Sequence, residues 1–324
     1  MRKATTFAAG LAALICLTPL STAAAFPTKP VTLVLGFAPG GPSDVMARIL
    51  TKKMEEILKQ PIVIENRAGA GGGIAATSVA RAAPDGHTIL LATGSSLAIN
   101  VSLYQTLGYD PEKDFEPIIL IGTQTNLLYV HPPSIPAKSL KEFVDYIKAN
   151  PGKYTFGSGG VGTPAHLAGE LLKVEAKIEL THAPFRGTGQ ALQSVIGGHV
   201  PIAFNPPSPL IPHLQAGTLR GIAVTTLKRT SALPDTPTIA ESGYPGFDAA
   251  TWHAIVAPAG LPRDVIATLH RAIDETLKDP ATKKALTDLG VDLVGSKPEE
   301  LRAYIKSEIP KWAKVVKASG AKVQ

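Results

Sequence analysis

The chain has 324 residues, 44% of them hydrophobic and 18% charged, which excludes a mainly disordered protein and suggests about two domains. Aromatic residues make up only 6%, so neither a base-stacking surface nor an aromatic-walled sugar site is expected. A net charge of +6 without any long Lys/Arg block argues against nucleic acid and points to small anions.

Residues 1–25 read as a secretory signal peptide. Met1-Arg2-Lys3 is the basic start and Phe7 to Leu17 the apolar stretch, too short to anchor in a bilayer. Ala23-Ala24-Ala25 supplies the small-residue site, which makes Phe26 the first mature residue. The only cysteine, Cys16, lies inside this segment and follows Ile15, where a lipoprotein signal calls for a small residue. Lipidation at Cys16 is therefore the disfavoured alternative. Cleavage leaves 299 residues with 30 cations, 26 acids and no cysteine, so disulfides, thiolate catalysis and zinc–thiolate sites are excluded. An exported, cysteine-free chain with two domains fits the bacterial periplasm. No later stretch approaches the length of a membrane span; Pro117 to Ile121 is a buried strand at most.

One grammar then repeats: a β-branched run, a glycine-rich turn and an amphipathic helix. Val31 to Phe37 leads into Pro39-Gly40-Gly41-Pro42-Ser43-Asp44 and a helix with Val45, Ile49, Leu50, Ile57 and Leu58 on one face. Pro61 to Arg67 leads into Gly69 to Gly73 and a helix from Ile74 to Ala82, and Thr88 to Ala92 leads into Thr93-Gly94-Ser95-Ser96. Further on, Lys153 to Phe156 precedes Gly157 to Pro164, Leu180 to Phe185 precedes Arg186-Gly187-Thr188-Gly189, and Val200 to Phe204 precedes Asn205-Pro206-Pro207. Near-continuous apolar strands alternating with helices predict mostly parallel, doubly wound α/β sheets covered on both faces. Leu127 to Val130, ending at His131-Pro132-Pro133, reads as a strand leaving the first lobe, and Thr251 to Pro258 as the return. The expected plan is residues 26–127 with 251–324 as lobe 1, residues 128–250 as lobe 2, and hinge strands near 127–130 and 251–257. Helices at Pro262 to Leu277, Ala281 to Leu289 and Pro298 to Val316 would pack back on lobe 1. Two crossings imply a hinge and closure on a ligand.

In such sheets ligands bind beyond the carboxyl ends of the strands, where the glycine loops lie. A helix amino terminus carries unsatisfied N–H groups and partial positive charge, so it attracts anions. Thr163 is typed as an N-cap and Pro164 suits the first helical position, while Gly159, Gly160 and Gly162 allow close backbone approach. Gly40 and Gly41 do the same in the first loop, with Ser43 or Asp44 placed to cap the helix beginning near Val45. Any single loop of this kind is explained by tight-turn geometry; several on one face favour binding. Arg186, between a strand and a glycine, can meet an anion or stay solvated, and His166 can point into the cleft as a donor.

Catalytic patterns are sparse. Gly157 to Gly162 matches G-x-G-x-x-G, with Glu175 and Glu179 nearly placed for a ribose contact, but export argues against a nicotinamide cofactor. A triad of Ser158, His166 and a distant acid is allowed by composition alone and is disfavoured, and the histidines show no metal-ligand spacing. No cofactor and no metal are expected.

The chain resembles the Bug-type receptors, the periplasmic substrate-binding proteins of tripartite tricarboxylate transporters. The residues that carry the resemblance are Phe37 to Arg48, Glu65 to Gly72, Gly159 to Glu170, Ala183 to Gly187, Pro234 to Gly243, Thr251-Trp252 and Ala257 to Gly260, in family order along the chain. The resemblance implies a two-lobed Venus-flytrap fold, type II-like, without catalysis. It implies a small carboxylate held by the Ala38 to Asp44 loop and the Ser158 to Thr163 turn, through backbone amides and ordered water. Phe37, Thr93, Ser95, Ser96, His166, Phe185 and Arg186 are implied neighbours of that site. The implied partners are small and large membrane subunits, with the receptor a monomer. Where family members commonly show acids after Gly197-Gly198, this chain has Pro201 and Asn205. An amide at Asn205, facing the cleft, would favour a plain or aromatic carboxylate over an amino acid. The rivals are a periplasmic carboxylate sensor feeding a signalling partner and an exported hydrolase.

Overall fold

The computed structural model describes residues 26–320, so the signal-peptide assignment and Cys16 lie outside the described residues. The chain starts with β1 (Val31–Leu35), α1 (Pro42–Leu58), β2 (Ile62–Asn66), α2 (Gly73–Ala80), β3 (Thr88–Thr93), α3 (Asn100–Leu103) and β4 (Phe115–Gln124). There follow β5 (Leu127–Val130), α4 (Leu140–Lys148), β6 (Thr155–Ser158), α5 (Pro164–Ala176), β7 (Thr181–Pro184), α6 (Thr188–Ile196), β8 (Ile202–Asn205), α7 (Ile211–Gln215) and β9 (Arg220–Val224). The last part holds β10 (Thr251–Pro258), α8 (Arg263–Lys278), α9 (Pro280–Asp288), β11 (Val291–Leu293) and α10 (Pro298–Ser319). Among the described residues no helix is long and apolar enough to cross a membrane.

The strands form a six-stranded sheet, β11-β4-β10-β3-β1-β2, and a five-stranded sheet, β7-β6-β8-β5-β9. In the first, β10 and β11 run against the other four strands; in the second, only β5 is reversed. The two-lobed, mostly parallel α/β plan read from the sequence is therefore the observed one. The reversed strands include those that enter each sheet from the other. The chain leaves the first sheet at Gln124, so Thr125 and Asn126 make the first crossing, and Leu127 already belongs to the second sheet.

Side-chain alternation explains the layers. Leu33 and Leu35 of β1 face a core shared with Met46, Leu50 and Met54 of α1 and with Leu269 and Ile273 of α8. Val34, on the other face, meets Ala75, Ala76 and Val79 of α2. The buried stripe of α1 is thus turned from the expected one: Val45, Ile49 and Ile57 flank it half-buried. Helix α8 packs on the first lobe as expected. Helix α10 does more, touching β4 and α3 on one side and α5 of the second lobe on the other. Its Trp312, Val315 and Val316 join one continuous core with Phe156, Leu167 and Phe204 of the second lobe.

Candidate functional site

The loops after the parallel strands of both sheets surround one cavity of about 510 Å³. The first lobe contributes the Phe37 to Ser43 loop after β1, Thr93 and Ser95 after β3, Gln124 and Asn126 at the crossing, and Thr251 and His253 of β10. The second lobe contributes Gly159 and the start of α5 at Thr163, the Arg186 to Gly189 turn, and Pro206.

In the first loop Gly40 has φ +79°, a left-handed conformation that favours glycine. Asp44 fixes this loop from below. One carboxylate oxygen accepts the Gly40 N–H at 3.0 Å and Arg48 Nε at 2.9 Å; the other accepts Asn66 Nδ2 at 3.2 Å. The hydrogen bond from Arg48, then that from Gly40, holds the carboxyl below its ordinary range despite burial. Its charge is committed to Arg48 and the loop, and it does not line the cavity. The N-cap itself is Gly41, so the helix begins earlier than the sequence suggests and neither Ser43 nor Asp44 caps it.

In the second loop Thr163 is the N-cap as read: its Oγ1 accepts His166 N–H at 3.3 Å and donates to Gly160 O at 2.8 Å. Gly162, at φ +76°, lies so close to Leu103 of the first lobe that a Cβ would sit 2.4 Å from a methyl carbon. Ser95 Oγ donates to Gly162 O at 3.3 Å, a direct bond between the lobes. Helix α6 starts at Thr188 after Gly187 (φ +138°), and the exposed Arg186 precedes it. Among the described residues no side chain caps α1 or α6.

Several expected site residues sit behind the cavity wall, not in it. His166 is 4% exposed and does not reach the cleft; its Nδ1 accepts Gly162 N–H at 3.2 Å. Its ring stacks on His182 at 3.9 Å, and burial pushes the two imidazoles down to about 3 and about 4, so both are neutral. Ser158 is buried and bonded to His182 Nε2 at 2.7 Å. Ser96 is buried, its Oγ paired with the Thr93 backbone. Gly160 and Gly162 shape the turn from behind, and Phe185 lays its ring against Gly157. Asn205 does not face the cleft: fully buried, it donates to Tyr129 Oη at 2.9 Å and to Thr188 O at 3.0 Å. Asn205 is therefore not placed to discriminate a plain carboxylate from an amino acid.

Sequence reading missed Gln124, Asn126, Thr188, Pro206, Thr251 and His253. Asn126 Nδ2 donates to Thr251 Oγ1 at 3.2 Å, stitching the two crossings together. His253 Nε2 lies 3.3 Å from Ser43 Oγ, and burial lowers this imidazole to about 4. Thr93 Oγ1 and His253 Nδ1 are buried with no partner in the protein. Their signal was available only through strand register, which places Thr93 opposite His253.

The electrostatics are one-sided. Three helix amino termini (α1, α5 and α6) open on the cavity, Arg186 is its one formally charged lining residue, and no carboxylate lines it among the described residues. Such a surface offers N–H donors and positive potential, and suits a small anion. Among the described residues no cluster of His, Cys, Asp and Glu could hold a metal ion.

The model of the tripartite tricarboxylate transporter family receptor (TctC) matches residues 46–321. The chain is 36% identical to Protein BugT of Bordetella pertussis over 300 residues, 92% of each chain. R. palustris Rpa4515 with adipate superposes with a TM-score of 0.82 at 35% identity, covering 91% of this chain and 98% of that one. MatC (Rpa3494) from Rhodopseudomonas palustris with bound malate gives 0.79 at 36% identity, covering 90% and 100%.

Proposed function

The chain belongs to the tripartite tricarboxylate transporter receptor family, and from that premise we propose that it captures a small organic carboxylate between its lobes and delivers it to small and large membrane subunits. The observation that carries the reading is the cleft itself: three helix amino termini and Arg186 converge there, and among the described residues no lining carboxylate opposes them. The adipate and malate on the two R. palustris proteins support the same ligand class. The carboxylate sits between the Ala38 to Gly41 loop and the Gly159 to Thr163 turn, accepting N–H groups from the first turns of α1, α5 and α6, with Arg186 closing over it. The reading places the receptor in the periplasm after removal of residues 1–25, as a monomer, with no cofactor, metal or turnover.

Closure turns on the two crossings. Thr225 Oγ1 accepts Asn126 N–H at 3.0 Å and donates to Ala249 O at 3.1 Å, so the hinge segments move as a bonded pair while α10 bridges both lobes.

A thermal-shift screen of carboxylates tests binding. A ligand at a hundredfold excess over Kd stabilises the folded form by about 2.7 kcal/mol, a readily measured shift. Uptake of the best ligand by cells lacking this gene tests delivery: loss of uptake supports it, and unchanged uptake contradicts it.

A further inference from the structure

The cleft does not end at Gly40 and His253. Beyond them, and sharing Pro42, Gln124, Thr188 and Pro206 with the main cavity, lies a second chamber of about 270 Å³. Its walls are apolar on both sides: Val45, Met46, Leu289 and Val291 from the first lobe, Pro206 and Pro209 from the second.

Two of the side chains around it, Gln124 and Ser208, donate to backbone carbonyls of the first lobe, and His253 keeps a free Nδ1. Gln124 Nε2 donates to Leu289 O at 2.6 Å, and Ser208 Oγ donates to Asp288 O at 3.4 Å. His253 is held by Ser43 and is neutral near pH 7. Among the described residues no Asp, Glu, Lys or Arg lines the chamber. A second carboxylate or an ammonium group entering it would give up hydration and find no charged side chain to pair with among the described residues. An apolar group entering it gains contact with surfaces that have no better use for it.

Resting on the carboxylate reading above, we propose that the preferred ligand is a monocarboxylate with an apolar arm, the carboxylate at the helix amino termini and Arg186 and the arm in the second chamber. Size sets the arm. An apolar cavity of about 150 Å³ suffices for benzene, so this chamber accommodates an aryl ring or an alkyl chain of roughly five to eight carbons. Because its walls come from both lobes, the arm is fully enclosed only when the lobes are together. Specificity for the arm is thereby linked to closure.

Calorimetry on purified protein, unfolded and refolded to remove any carried-over ligand, tests this. The series runs from butanoate to octanoate, with 3-phenylpropanoate as the aryl arm and α,ω-dicarboxylates of equal length as the charged comparison. Affinity is expected to rise about fourfold per buried methylene until the chamber is full. Each dicarboxylate is expected to bind at least ~10-fold more weakly than the monocarboxylate of its length. Val45→Phe, which narrows the chamber from its first-lobe wall, is expected to weaken octanoate by about 10-fold more than butanoate. Pro209→Trp, at an exposed position on the other lobe, gives the same comparison if Val45→Phe disturbs α1. A flat chain-length series, or dicarboxylates binding as well as monocarboxylates, overturns the chamber assignment and leaves carboxylate capture standing. Failure of the folded protein to bind any carboxylate overturns both.

Discussion

The ring of His166 accepts the backbone N–H of Gly162 at 3.2 Å, tying the second-lobe loop to the first turn of the helix that follows it. The loop faces the cleft and the histidine does not, so His166 acts on the ligand through backbone position. Replacing it with Leu leaves the Gly162 N–H unsatisfied in a buried site, which costs about 1–3 kcal/mol. His166→Leu is expected to lower Tm and weaken ligand binding about tenfold, with His166→Asn, which keeps an acceptor, intermediate. Equal affinity in the Leu variant and wild type would remove the loop from the account.

Acid stability follows from the buried imidazoles. Burial first, then neighbouring positive charge, brings His166 to about 3 and His182 to about 4, while burial alone brings His253 to about 4. In the unfolded chain each titrates near 6.5. Below about pH 6.5 the unfolded chain therefore binds more protons than the folded one, and stability falls with pH until the folded values are reached. The expected loss is on the order of 1 kcal/mol per pH unit per histidine between about pH 6 and 4.5, and none above about pH 7.5. Thermal unfolding across this range, with His182→Gln showing the shallower slope, checks it. A Tm independent of pH down to 4.5 would contradict it.

Two effects compete at Asp44. Removing an acid near an anion site tightens binding on Coulomb grounds alone. Against this, Asp44 anchors Gly40 and its charge is already matched by Arg48, at 2.9 Å. Loop order is expected to win: Asp44→Ala loses about 1–2 kcal/mol of stability and weakens ligand binding several-fold. Tighter binding by Asp44→Ala, measured by calorimetry, would reverse that ranking.

Among the described residues, Arg186 is the one formally charged side chain lining the cleft. Arg186→Gln is expected to raise Kd by about tenfold or more and to flatten its dependence on salt, since an exposed cation is screened. Arg186→Lys keeps the charge without the planar fork and falls between. Titrations at low and high salt distinguish these; a Gln variant within twofold of wild type would exclude Arg186 from the site.

What the sequence makes legible is what local chemistry decides. Thr163-Pro164 announces a capped helix start, and the Val31 to Phe37 run a strand in a sheet covered on both faces; the cap is observed at Thr163 and the strand over Val31–Leu35. Side-chain direction is less accessible. His166 and Asn205 are chemically suited to a ligand, yet one is an acceptor for Gly162 and the other a prop for Thr188. Conversely, His253 and Gln124 sit in apolar strands, and only the reversed register of β10 against β3 and β4 turns that part of the sheet into a cleft wall. Register between strands far apart in sequence is a tertiary property, and no local pattern encodes it.

A cleft that reads a carboxylate charge discriminates sharply between an acid and its amide. Calorimetric titration with one bound carboxylate and its primary amide, equal in shape and neutral, tests it most directly. The amide is expected to bind at least ~100-fold more weakly, as loss of two or more charge-assisted hydrogen bonds requires. Comparable affinities for acid and amide would contradict it.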